Sequence, residues 1–286
     1  METIKGKVIA AIEKNLGPDF QVKIGAMSTY HITGASLEDV VIQRVAEGKE
    51  EPALRAERVR ARVGIFSMIF GRPKVSYDAK IGKARISGYV QKSEETYKIQ
   101  VAFRDIDLGN IPYVQLTTGL HFISSMNGKI NVDYDVKQPL KTEGSVEINF
   151  DPLSLKKSTV PLGEMGTFPL PDLDLAGSGS SIQGKISRGS MQVDMLKLKA
   201  QDFDLDVKGR LFLASQVSMV RVNLQGTFEF SPKLWGVLDP ILPEAWTSEL
   251  KKQKGQGTSY PLSISGQLNS PQVYSGTLRL YPFKPF

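Results

Sequence analysis

The sequence predicts a mainly β protein, built as one long, curved antiparallel sheet in the shape of a trough, with a few short capping helices. Many short stretches alternate apolar and polar residues, which is the period of a strand with one buried face. A glycine opens six of these stretches and permits the tight turns that join antiparallel strands. The order of predicted elements shows no strand–helix–strand alternation, which argues against a parallel sheet. The six glycines are Gly128, Gly144, Gly189, Gly209, Gly226 and Gly276.

The composition excludes several classes of protein. The chain has 286 residues, of which 41% are hydrophobic, and this is enough for a core and argues against wholesale disorder. It has no cysteine, which excludes disulfides, thiol chemistry and cysteine-based zinc sites. The net charge of +6 is spread along the chain, without a basic cluster interleaved with aromatic residues. Nucleic acid is therefore not expected as a partner, whereas an anionic membrane surface nearby is compatible with the charge.

Residues 1–18 are predicted as an amphipathic N-terminal helix. Ile4, Val8, Ile12 and Leu16 form one apolar stripe, and a Gly-Pro pair at 17–18 ends the helix. No apolar run in the sequence reaches the ~18 residues that a membrane-spanning helix needs.

Residues 19–150 are predicted as the N-terminal half of the trough. Alternation predicts strands over 20–24, 30–33, 37–44, 53–63, 74–81, 84–90, 97–103, 129–136 and 145–150. The stretch from Gly64 to Gly71 is apolar on all sides and too short to span a membrane. We expect it to form one or two helical turns at the end of the sheet.

Residues 151–181 are predicted as a long loop and as the boundary between two halves, because four prolines and four glycines fall there. Residues 182–286 are the predicted C-terminal half of the trough. Alternation indicates strands over 181–186, 191–198, 203–213, 217–224, 227–230, 262–268 and 272–280. A helical insertion over 231–254 is expected to cover one end or the open seam of the trough.

No catalytic centre, metal site or cofactor is predicted. The two histidines, His31 and His121, lie far apart in the chain, and the sequence holds no phosphate-binding loop, serine nucleophile motif or His-Glu-x-x-His. Asp202, Asp204 and Asp206 alternate with apolar residues and lack the glycine of a calcium loop. They are predicted as the solvated face of a strand.

Two surface features leave alternatives open. Four arginines over residues 55–62 form the densest basic row, which is either a solvated sheet face or a contact for lipid head groups or an acidic partner. These are Arg55, Arg58, Arg60 and Arg62. Within the helical insertion, Trp235, Leu238 and Trp246 either cap the sheet or form an apolar contact with a membrane or partner.

An apolar row on the inner face of the predicted strands is the candidate binding groove. Its residues come from strands 53–63, 97–103 and 203–213, and they are Val59, Val63, Ile99, Val101, Phe103, Phe203, Leu205 and Val207. Small and β-branched side chains on neighbouring strands make a smooth surface that can hold a flexible chain. The alternative is that the same residues form a closed core.

Several segments resemble AsmA-like envelope proteins. Residues 34–42 (GASLEDVVI) resemble the opening strand of these proteins, residues 54–63 with 69–75 resemble their strand–helix–strand unit, and residues 260–271 (YPLSISGQLNSP) are similar to their terminal strand pair. The segment 172–177 and the glycine-led strands at Gly184, Gly209 and Gly226 resemble the type II secretion system protein N (GspN) family more narrowly. The resemblance covers most of the chain and implies the AsmA-like trough.

The resemblance also implies a function and a location. It implies a non-enzymatic component of a type II protein secretion system, working in the periplasm and held in the inner membrane by an anchoring helix that we expect to be missing from this chain. Other inner-membrane and periplasmic secretion components are the implied partners. The alternative is an AsmA-like lipid-binding or transfer protein whose apolar groove shields acyl chains. An enzyme acting on envelope glycolipids has little support, because no acid–base pair can be placed.

Overall fold

The computed structural model describes residues 2–16, 19–46, 49–112, 114–115, 120–161, 167–214, 219–240, 244–253, 259–268 and 270–282. Its helices are α1 (Glu2–Leu16), α2 (Ile65–Ile69), α3 (Pro232–Leu238) and α4 (Glu244–Gln253), with 3₁₀ turns at Leu108–Asn110 and Pro139–Lys141. The strands of the first half are β1 (Phe20–Tyr30), β2 (Gly34–Ala46), β3 (Lys49–Val63), β4 (Lys74–Ile81), β5 (Ala84–Ser93), β6 (Thr96–Ile106), β7 (Phe122–Asp135), β8 (Glu143–Leu155) and β9 (Ser158–Pro161). The remaining strands are β10 (Thr167–Leu170), β11 (Leu173–Ala176), β12 (Ser180–Ser187), β13 (Ser190–Lys199), β14 (Phe203–Phe212), β15 (Arg221–Phe230), β16 (Tyr260–Gln267), β17 (Ser270–Ser275) and β18 (Leu278–Pro282).

The protein is mainly β, with 65% of its residues in strands, and the predicted fold class is confirmed. Sixteen strands form one antiparallel sheet, in which β1 to β8 follow each other in chain order, β12 joins the edge of β8, and β13 to β18 continue the meander. β11 also pairs with β8, while β9 and β10 make a separate two-stranded sheet. The sheet is open, with β1 and β18 at its two edges.

One face of this sheet is apolar across its whole width, because the register keeps the alternation of neighbouring strands in phase. Val22 pairs with Ile42, Val101 with Ile130, and Leu224 with Ile264 on successive parts of this face. On the other face, Arg58 lies between Glu38 and Lys80. A one-residue slip would move every apolar side chain to the solvent face, so this pattern fixes the register.

Of the six glycines that were predicted to open strands, four lie within strands and face a residue of the neighbouring strand. Gly189 and Gly276 do occupy turns with positive φ, at 70° and 54°. Gly128 instead lies within β7 opposite Phe103, and a Cβ at this position would stand 2.5 Å from the Phe103 ring. The others are Gly144, Gly209 and Gly226, which pair with Val132, Leu224 and Val207. These glycines serve the close approach of neighbouring strands rather than turns.

The predicted loop over residues 151–181 is wrong, because most of its described part is strand. β8 continues to Leu155, the hairpin of β9 and β10 follows, and β11 returns to pair with β8. Pro152 falls where the register between β7 and β8 shifts, and Pro169 belongs to a two-stranded sheet, both of which tolerate a missing amide donor. The sheet therefore continues from β8 to β12 without a break at the predicted boundary.

The core is built differently at the two ends of the chain. Val8, Ile9 and Ile12 of α1 pack on a cluster around Val22 and Ile24 of β1, as the predicted stripe of this helix implies. In the second half, the apolar residues of β13 to β16 pack on one another, and four of them, Val193, Val207, Val222 and Leu224, are buried. α3 and α4 close this half, with Leu234, Leu238 and Leu250 buried in two further clusters.

Candidate functional site

Five of the eight predicted groove residues lie together on an open part of the apolar face. The pairing of β3 with β4, β5 and β6 places Val59, Val63, Ile99, Val101 and Phe103 on one side of the sheet. All five are half-buried. Within the described residues, the last four belong to no hydrophobic cluster of the core. This part of the face is therefore apolar without being filled.

The other three predicted groove residues lie where the face is closed. Val207 is 1% exposed and packs with Val193, Val222 and Leu224. Leu205 packs against the same cluster, and Phe203 contacts the aromatic cluster around Phe228 and Tyr260. The structure thus separates the predicted groove into an open section over β3–β6 and a packed core over β13–β16.

Tyr77 and Gly88 shape the floor of the open section. Gly88 pairs with Tyr77 on one side and Val101 on the other, and a side chain at Gly88 would collide with the Tyr77 ring and the Gln100 carbonyl. The Tyr77 hydroxyl donates to the backbone oxygen of Gln100 at 3.3 Å. Burial raises the pKa of Tyr77, so this phenol stays neutral at physiological pH.

A cavity of about 1370 Å³ adjoins this section, at the end of the sheet where α1 leads into β1. Its apolar lining comes from distant parts of the chain and consists of Leu16, Phe20, Ile42, Ala53, Leu54, Ile81, Ala84, Ile86, Ile106 and Ile111. Ile86 also pairs with Phe103, so the cavity and the open section share one apolar surface. The cavity exceeds the roughly 300–1,000 Å³ of ordinary small-molecule pockets.

Sequence reasoning missed this cavity. None of the eight predicted groove residues lines it. The alternation that selected Val59 and Phe103 also marks Ile81 and Ile86 as members of the same face, so that signal was available. The contribution of Leu16 and Ile111 depends on chain folding beyond any local pattern.

Charged groups stand at the mouth of the cavity. Arg55, Glu57, Lys83, Asp105 and Asp107 belong to its lining. A hydrogen bond from Lys80, 2.5 Å away, lowers the pKa of Glu57, so this carboxylate is ionised and paired. Arg55 lies 3.5 Å from Asp39, whereas Lys83 has no ion pair within the part of the chain that the structure describes. Lys83 is the cation best placed to meet an anionic group.

The residues predicted as a membrane or partner contact favour the capping interpretation. Trp235 stacks on Phe230 and Tyr260, with ring centroids 6.1 Å and 5.9 Å apart. Leu238 is 8% exposed, so it is a core residue and not an exposed contact. Trp246 lies in α4, and its side chain is outside the described residues.

Arg58, Arg60 and Arg62 lie on the polar face of the sheet, whereas Arg55 belongs to the lining of the cavity. The Arg60 guanidinium stands 4.8 Å from the Tyr30 ring, and Arg58 faces Glu38 and Lys80 on the neighbouring strands. Arg58 and Arg60 are half-buried, and the Nε atom of each is buried without a hydrogen-bond partner among the described residues, so their side chains pack along the sheet, with cation–π stabilisation at Arg60.

The acidic row is only partly solvated. Asp204 and Asp206 are exposed, as predicted. Asp202 is not, because its side chain is 6% exposed and accepts hydrogen bonds from the Ser231 hydroxyl and the Asp174 amide. Asp202 is thus a structural link between α3, β11 and the turn before β14.

The two histidines lie far apart in the structure. His31 follows β1 and contacts the Tyr30 ring edge to face, whereas His121 precedes β7 at the opposite end of the sheet. Among the described residues, no group of three or more His, Cys, Asp or Glu side chains could hold a metal ion. No described helix has the length and apolar character needed to cross a membrane.

A scan of protein-family models, a search of curated proteins and a search of solved structures found no match to this chain. The candidate site is therefore interpreted from its own geometry.

Proposed function

We propose that this protein is a non-enzymatic lipid-binding protein that holds acyl chains on the open section of its apolar face. One observation carries the proposal: the half-buried residues of β3–β6 share one continuous apolar surface with a cavity of about 1370 Å³. An unfilled apolar surface of this kind is unfavourable in water and marks a ligand or partner site. Each buried methylene of an acyl chain contributes about 0.8 kcal/mol to binding.

The charged residues of the lining are two cations, Arg55 and Lys83, and three acids, Glu57, Asp105 and Asp107. Glu57 pairs with Lys80, and the Asp107 carboxylate accepts hydrogen bonds from the Gly109 and Ser124 amides. The lining is aliphatic, which suits a hydrocarbon tail, and Lys83 stands beside it without an ion pair in the described chain. We propose an amphiphile whose tail lies along Ile86, Phe103 and Val101 and whose anionic head group meets Lys83. A phospholipid or a free fatty acid satisfies this chemistry, and mass spectrometry of extracted lipid distinguishes them.

The experiment compares a charge on the two faces of one strand. Val101→Glu places a carboxylate on the apolar face, where it would oppose hydrocarbon at a cost of several kcal/mol unless neutralised. Ala102→Glu is the matched control, because Ala102 faces the polar side between Ser87 and Lys129. We expect the Val101 variant to lose co-purified lipid, measured by extraction and mass spectrometry, and the Ala102 variant to keep it.

The melting temperature of each variant separates a ligand surface from a core. Val101 is half-buried on the open section, so the folded state should persist in Val101→Glu. Leu205→Glu falls in the packed core and should unfold the protein. A folded Val101→Glu protein with its full lipid load would contradict the lipid-binding proposal.

We further propose that this lipid binding serves a type II protein secretion system, in the periplasm and at the inner membrane. The support is the resemblance of segments such as 34–42 and 260–271 to AsmA-like proteins and the GspN family, together with the mainly β sheet that the resemblance implies. The expected partners are other inner-membrane and periplasmic components of that system. Crosslinking in cells followed by mass spectrometry should recover those components, and their absence from the crosslinked products would contradict this second proposal alone.

A further inference from the structure

The end of the sheet that carries α2 concentrates the exposed apolar side chains of the molecule. Fourteen of the seventeen large hydrophobic residues that are exposed in the described chain lie in or beside its turns. These turns join β1 to β2, β3 to β4, β7 to β8, β14 to β15 and β16 to β17. The fourteen residues are Ile32, Ile65, Phe66, Met68, Ile69, Phe70, Val75, Tyr134, Val136, Leu140, Phe212, Leu213, Met219 and Leu268. We call this set the apolar end.

α2 is built with its apolar side outward. Its polar residue, Ser67, faces the protein, where the Ser67 hydroxyl donates to the Gly64 oxygen and accepts from the Lys74 amide at 3.0 Å. None of the residues of this helix is buried, and Phe66 and the following Phe70 are 78% and 76% exposed. A helix held by its serine, with its phenylalanines in solvent, is unfavourable unless an apolar partner covers it.

The same end carries unpaired cations. Arg72 follows α2, Lys141 lies in the turn before β8, and Arg188 lies in the turn between β12 and β13, all exposed. None of the three has an ion pair in the described chain. Of the acidic groups in or beside the turns at this end, Glu95 pairs with Lys137, and Glu94, Asp135 and Glu143 remain. Arg62, Lys92 and Arg221 also lie beside these turns, so the cations outnumber the acidic groups. The end is therefore apolar with a net positive rim.

We propose that the apolar end docks on the surface of an anionic lipid bilayer. The apolar residues come from five separate turns spread across the sheet, in which neighbouring strands stand about 4.8 Å apart. The apolar side chains therefore extend over many strands at one end of the sheet, and a broad surface can contact more of them than a peptide or helix, which would cover only a few turns. Apolar side chains flanked by cations are the composition of interfacial membrane contacts, in which apolar groups enter the head-group region and cations meet anionic lipids.

Docking in this way would bring the groove to the bilayer. Val63 is the last residue of β3 and pairs with the exposed Val75, directly beside α2. The open section of the apolar face therefore reaches the docked end. The inference goes beyond the proposed function and does not require that the groove holds lipid.

The test is flotation with vesicles of phosphatidylcholine mixed with phosphatidylglycerol, compared with vesicles of phosphatidylcholine alone. We expect the protein to float with the anionic vesicles, and the double variant Phe66→Ser/Phe70→Ser to lose at least about tenfold in affinity, because two aromatic side chains no longer enter the bilayer. Ile123→Ser is the control, since Ile123 is an exposed apolar residue at the opposite end. It should bind like the unaltered protein.

Further variants separate the lipid bilayer from other partners. Arg72→Glu/Arg188→Glu should reduce flotation with anionic vesicles and make it less sensitive to salt. Val101→Glu should still float while lacking co-purified lipid, so failure of the groove proposal is distinguishable from failure of docking. Equal flotation of the Phe66/Phe70 variant and the unaltered protein would overturn the inference. A second result would also overturn it. If the vesicles bind no protein, and sedimentation velocity shows a dimer that the Phe66/Phe70 variant abolishes, the partner of the apolar end is a second copy of the chain.

Discussion

At the scale of single residues, glycines set how closely neighbouring strands approach on the apolar face. A Cβ at Gly226 would collide with the Asp206 carbonyl and stand 2.7 Å from the Cα of Val207 on the neighbouring strand. Both contacts are with backbone, which cannot move aside as a flexible side chain can. The sequence marked Gly226 as special, but it suggested a turn. The distinction depends on the strand opposite, which a single stretch of sequence does not contain.

We expect Gly226→Ala to destabilise the protein by about 1–3 kcal/mol, because the added methyl overpacks a site between two strands. Gly236→Ala is the matched control. Gly236 lies in α3 with open space at its Cβ position, so alanine should be neutral or stabilise the helix by up to about 1 kcal/mol. The midpoint of urea unfolding measures both, and equal midpoints for the two variants would contradict this account.

At the scale of elements, Asp202 joins three parts of the second half. Its carboxylate accepts hydrogen bonds from the Ser231 hydroxyl at 3.3 Å and the Asp174 amide at 3.4 Å, while its backbone oxygen accepts from the Ser231 amide. Ser231 in turn caps the N-terminus of α3 by accepting from the Leu234 amide. The buried carboxylate of Asp202 thus helps to hold α3 over the sheet, together with the packing of Leu234 and Leu238.

Removing this carboxylate should loosen α3. We expect Asp202→Ala to cost about 1–3 kcal/mol of stability, because it leaves the Ser231 hydroxyl and the Asp174 amide without their acceptor. Asp206→Ala, at an exposed position of β14, should change stability by less than about 0.5 kcal/mol. Thermal melts of both variants provide the comparison. If the two variants have the same melting temperature, the hydrogen bonds of the Asp202 carboxylate do not contribute measurably to stability.

The elements that the sequence predicted well are those whose pattern is local. Alternation placed most strands of β1–β6, and the stripe of α1 identified the side that packs on β1. The hairpin of β9 and β10 and the strand β11 were missed, because their prolines and glycines are compatible with strands only at register shifts and in short ladders. Asp202 was assigned to a solvated row for a similar reason, since its burial is caused by α3, which lies far along the chain.

At the scale of the whole molecule, two parts of one apolar face differ in how far their side chains are buried. Over β13–β16 the apolar side chains pack into a buried cluster, whereas over β3–β6 the same alternation leaves the residues half-buried beside a large cavity. Alternation predicted the face but not this difference, because burial depends on how many strands and helices pack together. The cavity lining combines α1, β1–β7 and the segment between β6 and β7, so it exists only in the assembled fold.

This asymmetry predicts a gradient of hydrogen exchange along the sheet. Strands β4–β6 and β13–β15 are paired on both edges, so their amides are hydrogen-bonded alike. The buried apolar side chains that resist local opening are concentrated in the second group, where Val193 and Val207 are fully buried. We expect the amides of β4–β6 to exchange faster than those of β13–β15. Equal protection would show that the sheet opens as one cooperative unit.

Lipid should reduce this gradient if acyl chains occupy the open section. A ligand at 100 times its Kd stabilises the folded state by about 2.7 kcal/mol, which corresponds to roughly 100-fold slower exchange through the openings that release it. We expect added lipid to slow exchange in β4–β6 and to leave β13–β15 unchanged, because Val207 and its neighbours already fill that part of the face. The Val101→Glu variant should lose this protection, while Ala102→Glu keeps it. If added lipid slowed amide exchange only in β13–β15, the lipid would bind elsewhere, and the proposed groove along Ile86 and Phe103 would be wrong.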